Sequence, residues 1–323
     1  MLVSGYQETF WTMVFSLLSA KKHFSDRWIG HSDLNRFGLH PMRMRLAQAC
    51  AQARHRTALN SFVRSLPEQY REEFARNGFV MIENFLPVEE FERLGAEVQR
   101  VVTEVEAQTP LPEPVGRGFQ RPVRHTWGFD RFDGGTLNRF IDIDAAGMPC
   151  SEAFANDARL RALSRLVVGA PVKRQSIRIY QTVHGDDEEF HDLQKDYHRD
   201  TFHSAMKFWF YVDPVRIDQG PFEVVPQSHR LTRERLQWEQ GRALAAAERA
   251  RDGSGRLSGA FRVEASELES MDLPQPMPLT VPGNTIIVAD TPGFHRRRDA
   301  NPGEKRLTIY GSCRPWPFLP VGI

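Results

Sequence analysis

The chain has 323 residues, 41% of them hydrophobic, with 42 basic against 41 acidic residues and a formal net charge of +1. That is enough for one large or two modest domains with a buried core, and it excludes a disordered polypeptide. The charge balance excludes overall attraction to nucleic acid or to an anionic membrane; three scattered cysteines, Cys50, Cys150 and Cys313, exclude a disulfide framework and point to a reducing, cytoplasmic setting.

In chain order, Phe10 to Ala20 is a largely apolar run broken by Thr12, Ser16 and Ser19 and followed by Lys21 and Lys22. The run is too short to span a bilayer as a helix. With Glu8 ahead of it and no small-residue cleavage site behind, it does not read as a secretory signal either. Residues 10–22 therefore read as a helix packed on the protein or on a partner, with peripheral membrane contact as the less favoured alternative. Residues 1–65 read as an Arg-, Ala- and Leu-rich helical extension without evident chemistry, ahead of a single domain over 66–323.

Glu68 to Arg76 has helical spacing and is closed by Asn77-Gly78, after which Phe79 to Phe85 alternates as a short strand. Pro87 suits a first helical turn, and Phe91, Leu94, Val98, Val101 and Val105 make a stripe at 3/4 spacing, so a second helix follows. Residues 108–150, rich in Pro and Gly, read as a long irregular loop region over the core.

From about residue 172 the period changes to two, and short strands recur between turn signals to about 315, the pattern of a β-sandwich or jelly roll. Strands are expected over Ser176 to Val183, Ala205 to Val212, Phe222 to Val225, Thr285 to Ala289 and Leu307 to Gly311. In the second of these Met206, Phe208, Phe210 and Val212 share one face, and Lys207, Trp209 and Tyr211 the other. Leu231 to Arg251 interrupts the series as a polar, solvated helical insertion. The fold class is thus α+β with a mainly β core, a double-stranded β-helix of jelly-roll or cupin-like form with flanking helices.

His-x-Asp occurs three times, at His31/Asp33, His184/Asp186 and His198/Asp200. Chance copies are expected of so short a pattern. His198 and Asp200 lie just before the strong strand at 205–212, where two side chains at period two leave the same face; His31 precedes no such strand, and His184, the nearer competitor, opens an acidic loop. A third group is expected at His295, at the exit of the hydrophobic strand from Thr285. Two imidazoles and one carboxylate on one face of a metal leave the opposite face open, as a non-haem Fe(II) oxygenase requires. Arg306, eleven residues beyond His295, shares a strand face with Thr308 and Tyr310, and a guanidinium is a fixed fork for a carboxylate.

With these residues the chain resembles the phytanoyl-CoA dioxygenase family of Fe(II)/2-oxoglutarate oxygenases. Asn77 to Leu86 resembles the family's opening strand, and Gly220-Pro221-Phe222-Glu223-Val224-Val225-Pro226-Gln227-Ser228-His229 resembles its Gly-Pro-Leu…Pro-Gly-Ser-His turn, with Gln227 in place of the usual glycine. The resemblance covers about residues 68–318. It implies iron ligands at His198, Asp200 and His295, the distal carboxylate of 2-oxoglutarate on Arg306 and Thr308, and Trp209 and Tyr180 lining the cofactor pocket. It also implies Fe(II), 2-oxoglutarate and O2 as cofactor and co-substrates, with succinate and CO2 released as hydrogen is removed from a positioned C–H bond. Asp200 favours hydroxylation over halogenation, because related halogenases lack this carboxylate.

The substrate is expected to be a small or lipid-linked molecule, and Lys207 and Arg297 are the candidates to receive an anionic group on it. Two other readings stay open, a metal barrel with non-oxidative isomerase, lyase or hydrolase chemistry and a non-catalytic binding protein.

Overall fold

Residues 2–58, 65–114, 120–186, 188–253 and 260–321 are described by the structure, a computed structural model. The strands are β1 (Phe79–Ile82), β2 (Val123–His125), β3 (Gly128–Asp133), β4 (Thr136–Asp142), β5 (Ile177–Val183), β6 (His198–Arg199), β7 (Met206–Tyr211), β8 (Phe222–Val224), β9 (Phe261–Arg262), β10 (Met277–Pro278), β11 (Thr285–Asp290), β12 (His295–Arg297) and β13 (Lys305–Cys313). They form two antiparallel sheets, a major one in the order β1-β11-β7-β13-β5-β4-β3-β2 and a minor one in the order β10-β8-β12-β6-β9. Consecutive strands of the 177–313 region alternate between the sheets or skip neighbours, which is the jelly-roll arrangement anticipated from the period-two pattern.

Alternation along the major strands sorts the core into two layers. Met206, Phe208, Phe210 and Val212 join Ile177, Ile179, Leu307 and Ile309 on the outer face. There they pack against α5 (Val88–Gln108) and α7 (Ala158–Val168), whose buried stripes include Leu94, Val98, Val101, Leu163 and Val167. The inner face carries Tyr180, Trp209, Tyr211 and Ile287 against Phe222 and Val224 of the minor sheet. Burying each such side chain contributes about 1.5–3 kcal/mol, and a one-residue register slip would exchange the faces. Entry into β1 depends on Gly78, which ends α4 (Glu68–Asn77) at φ 83 with its N–H on the Phe74 carbonyl; a Cβ there would meet the His229 ring at 2.3 Å.

Two expectations are corrected. Residues 108–150 are not a loop throughout: β2, β3 and β4 extend the major sheet, and β3 and β4 are joined by a two-residue turn, Gly134-Gly135, with Gly134 at φ 59. The Gly-Gly dipeptide is the hairpin signal, and the surrounding prolines and glycines masked it. The insertion is α8 (Arg233–Asp252), and it is not a solvated helix: it buries Arg235, Leu236, Glu239, Ala243, Ala246 and Ala247. Its small alanines and paired charges carry little hydrophobic signal, so composition alone reads it as exposed.

The N-terminal residues are helical as expected, in α1 (Leu2–Leu17), α2 (Ser32–Arg36) and α3 (Leu39–Ala58), and α2 and α3 pack on α8. Phe10, Trp11 and Phe15 of α1 are exposed, and among the described residues no helix is long and apolar enough to cross a membrane. The remaining helices, α6 (Pro149–Ala155) and α9 (Ala265–Ser270), flank the sheets.

The start of β7 is tied to the end of β11 through Asp290, whose carboxylate accepts hydrogen bonds from the Ala205 N–H (2.9 Å) and the Ser204 hydroxyl (3.0 Å). Burial pushes this carboxyl from 3.8 up to about 7. The folded state therefore holds the proton more tightly than the unfolded chain does. The stability this contributes is complete below about pH 4 and is lost as pH rises through 7. Asp290→Asn keeps an acceptor for both donors and carries no charge, so thermal melts should show a higher Tm than the parent at pH 8 and a shallower decline between pH 4 and 7. A lower Tm at pH 8 would contradict this account of Asp290.

Candidate metal centre

The minor sheet brings β6 beside β12 so that His198 and His295 are direct antiparallel partners, with ring centroids 4.5 Å apart. Asp200 follows β6 and is fixed by its N–H bond to the Thr291 carbonyl at 3.0 Å. Its carboxylate lies 3.8 Å from Nε2 of each histidine. One ligand atom from each of the three residues lies within 4.8 Å of the others, and among the described residues no other group of three or more His, Cys, Asp or Glu side chains does this.

Each imidazole is oriented by its own backbone. Nδ1 of His198 donates to the Asp196 carbonyl (2.8 Å) and Nδ1 of His295 to the Gly293 carbonyl (2.9 Å), which fixes the tautomer and turns both Nε2 lone pairs inward. Nε2 of His198 is buried with no hydrogen-bond partner, a costly state for an acceptor and a fitting one for a metal ligand. Burial holds His198 well below its ordinary value and lowers His295 as well, which keeps both in the neutral form that ligates. Burial alone would raise Asp200, but the Lys207 ammonium beside it holds it well below the usual carboxylate range.

The competing His-x-Asp copies lie elsewhere. His31 precedes α2 without a side-chain cap bond. The His184 ring is buried against Gly220, and burial, with Arg297, Arg306 and Lys195 nearby, pushes it down to about 2.

A cavity opens from His198 and His295, walled by Tyr180, Trp209, Phe222 and Tyr310, with Arg306 in the same wall. Arg306 is buried and donates to the Gly220 carbonyl, while its Nε has no partner. Every other guanidinium of the wall is matched to a carboxylate: Arg131 to Asp133 at 2.9 Å, Arg296 to Glu223 at 2.6 Å and Arg297 to Asp192 at 2.5 Å. Among the described residues Arg306 has no such partner. Thr308 is fully buried beneath this wall, and its hydroxyl donates to the Tyr180 carbonyl at 3.2 Å rather than lining the cavity. Lys207 does line it, with its ammonium 2.7 Å from the Asp200 carboxylate. Arg297 also bonds the Asn138 side chain (2.6 Å) and the Tyr180 hydroxyl (3.0 Å).

Several wall residues were hidden from sequence reasoning. Arg131, Asp133 and Phe140 come from β3 and β4, the region read as a loop, and Gln194 from a segment without periodicity. Recognising the Gly134-Gly135 hairpin would have placed the first three on strands.

The sequence profile described as phytanoyl-CoA dioxygenase (PhyH) matches residues 74–276, more than half of the chain. The chain belongs to the phytanoyl-CoA dioxygenase family, a family of Fe(II)- and 2-oxoglutarate-dependent enzymes. The matched span holds His198 and Asp200, whereas His295 and Arg306 lie beyond it. No curated protein sequence matches the chain.

Similar solved structures include the carbocyclase SnoK from nogalamycin biosynthesis, at 13% identity and TM-score 0.47 over 78% of this chain and 85% of that one. They also include the epimerase SnoN from the same biosynthesis, at 16% identity and TM-score 0.42 over 76% and 81%. A third is HygX from Streptomyces hygroscopicus with nickel and 2-oxoglutarate bound, at 20% identity and TM-score 0.40 over 77% and 87%.

Gly220 sits at φ 62, and a Cβ there would meet the His184 ring at 2.5 Å while the Gly220 carbonyl is holding Arg306. Gly220→Ala should therefore lower Tm through about 1–3 kcal/mol of backbone strain. It should also weaken 2-oxoglutarate binding in a calorimetric titration of the Mn(II)-loaded protein. Unchanged affinity would show that the Gly220 carbonyl has no part in 2-oxoglutarate binding.

Proposed function

We propose that the chain is an Fe(II)/2-oxoglutarate-dependent dioxygenase that hydroxylates an unactivated C–H bond of a compact, polar small molecule. His198, Asp200 and His295 are the iron ligands in this reading, and Arg306 anchors the distal carboxylate of 2-oxoglutarate. The observation that carries it is that one cavity is lined both by His198 and His295, with the Asp200 carboxylate 3.8 Å from each, and by a buried guanidinium that has no carboxylate of its own among the described residues. An unpaired buried cation is costly, and a dicarboxylate whose other end reaches the metal would relieve it.

The iron, when bound, would supply the coupling of O2 reduction to oxidative decarboxylation of 2-oxoglutarate and to removal of a substrate hydrogen. The chain's own residues orient and exclude. Trp209, Tyr180 and Phe222 wall the co-substrate and shield it from water, and Nδ1 of each histidine holds its proton on a backbone carbonyl so that Nε2 stays available. Lys207 neutralises Asp200 from the cavity side. Thr308 contributes by fixing β13 to β5 next to Arg306.

Among the described residues the cavity wall is made of polar and aromatic side chains with no aliphatic one, which supports a compact polar substrate over a long acyl chain. Because Lys207 and Arg297 already hold Asp200 and Asp192, the wall favours hydroxyl or amide groups over a strongly anionic one. Cys50, Cys150 and Cys313 are free thiols, which supports a reducing, cytoplasmic setting.

Protein loaded anaerobically with Fe(II) and 2-oxoglutarate should develop a weak visible metal-to-ligand charge-transfer band, followed by slow succinate release on admission of air. Asp200→Ala and His295→Ala should each lose both signals. Arg306→Lys keeps the charge but loses the fork, and should weaken 2-oxoglutarate binding roughly tenfold or more, a cost on the order of one charge-assisted hydrogen bond. Tight zinc binding with no band and no succinate would replace the dioxygenase reading with redox-silent chemistry.

A further inference from the structure

The insertion helix α8 carries Glu239, which is fully buried and receives three basic side chains from three parts of the chain. Arg199 of β6 meets it with both arms of its fork, Nε at 2.9 Å and Nη2 at 2.8 Å. Arg235, one turn earlier on α8, donates to it from Nη2 at 3.1 Å. Nε2 of His40, on α3, donates to it at 2.8 Å. All four residues are almost completely buried, with exposures of 0–3%.

The position of these contacts sets them apart from an ordinary buried ion pair. Arg199 is the residue between His198 and Asp200, and alternation sends its side chain to the opposite face of β6, over the Phe261 ring at 4.1 Å. Arg235 reaches the other ligand segment: Nη2 donates to the Pro292 carbonyl at 2.7 Å, and Nη1 to the Ser228 carbonyl at 2.5 Å. The Ser228 hydroxyl accepts the Phe294 N–H at 2.7 Å, and the Arg235 guanidinium stacks on the Phe294 ring at 3.9 Å. One carboxylate thus joins the backbone bearing His198 and Asp200 to the backbone delivering His295.

Desolvation largely cancels the Coulomb gain of such clusters, so stability alone is a poor reason for one here. Geometry is a better reason. Each histidine takes its orientation from a backbone carbonyl two residues earlier, so a shift of either segment moves Nε2 by a similar amount. A metal site tolerates displacements of only about 0.5 Å.

We infer that Glu239, with Arg199 and Arg235, is a positioning device for the metal centre: α8 sets the separation of the two ligand-bearing segments from behind the minor sheet. The inference rests on the ligand assignment proposed above and extends it to residues that touch neither metal nor substrate.

The test is Co(II) binding, followed by the visible d–d spectrum and by calorimetry on the full chain. Glu239→Gln removes the charge that orients both guanidiniums, and Arg199→Lys keeps the charge balance but loses the two-point fork. Both variants should bind Co(II) roughly tenfold more weakly than the parent, the lower end of the effect seen when outer partners of metal ligands are removed. Both should also give an altered d–d band pattern. A folded Glu239→Gln or Arg199→Lys protein with the parent's affinity and spectrum overturns the inference. So does an Arg199→Lys protein that fails to fold, because the cluster is then a matter of stability and not of position. Failure of the ligand assignment looks different, since the parent itself would then bind no Co(II).

Discussion

The arrangement depends on one backbone pairing, His198 opposite His295 across β6 and β12. That register brings together residues nearly a hundred positions apart, and each strand involved is two or three residues long. Strands so short cannot hold a register by their own hydrogen bonds. It is imposed by what surrounds them: β8 and β9 on either side in the minor sheet, the Asp200 N–H on the Thr291 carbonyl, and the aromatic layer of Trp209, Phe222 and Tyr180 beneath. The convergence of His198, Asp200 and His295 is thus a consequence of jelly-roll packing and not a local property of a motif.

A second constraint is the internal matching of charge. The cavity wall is crowded with basic residues, yet nearly all are neutralised in place, Arg131 by Asp133, Arg296 by Glu223, Arg297 by Asp192 and Lys207 by Asp200. In a site of low dielectric an unmatched charge acts strongly on whatever enters. Among the described residues Arg306 is left as the charge facing the cavity without a carboxylate, which gives an otherwise balanced pocket a direction for an anionic ligand.

Much of this was legible in the sequence because it follows from period. The faces of β5, β7 and β13 were readable from alternation, since a half-buried strand must sort its side chains at a spacing of two, and that alternation put Trp209, Tyr180 and Arg306 on the side that faces the minor sheet. The His-x-Asp copy was chosen by the same reasoning, from the strand that follows it. What could not be read has physical reasons as well. β3 and β4 were obscured because turn-forming residues flank strands whose inner residues are polar, so neither hydrophobic run nor clean alternation announces them. The role of α8 was invisible because its partners come from β6 and α3, and a buried Arg–Glu cluster has the composition of a solvated surface. Thr308 shows the limit of face assignment: alternation gives the direction in which a hydroxyl points, but whether it meets a ligand or a neighbouring carbonyl depends on spacings between strands.

The most direct measurement is a crystal structure of the anaerobic Fe(II)·2-oxoglutarate complex with anomalous diffraction collected at the iron edge. The account predicts one strong peak about 2 Å from Nε2 of His198, Nε2 of His295 and a carboxylate oxygen of Asp200, with the far carboxylate of 2-oxoglutarate on Arg306. A peak coordinated by His184 instead, or a co-substrate whose distal carboxylate lies away from Arg306, would contradict it.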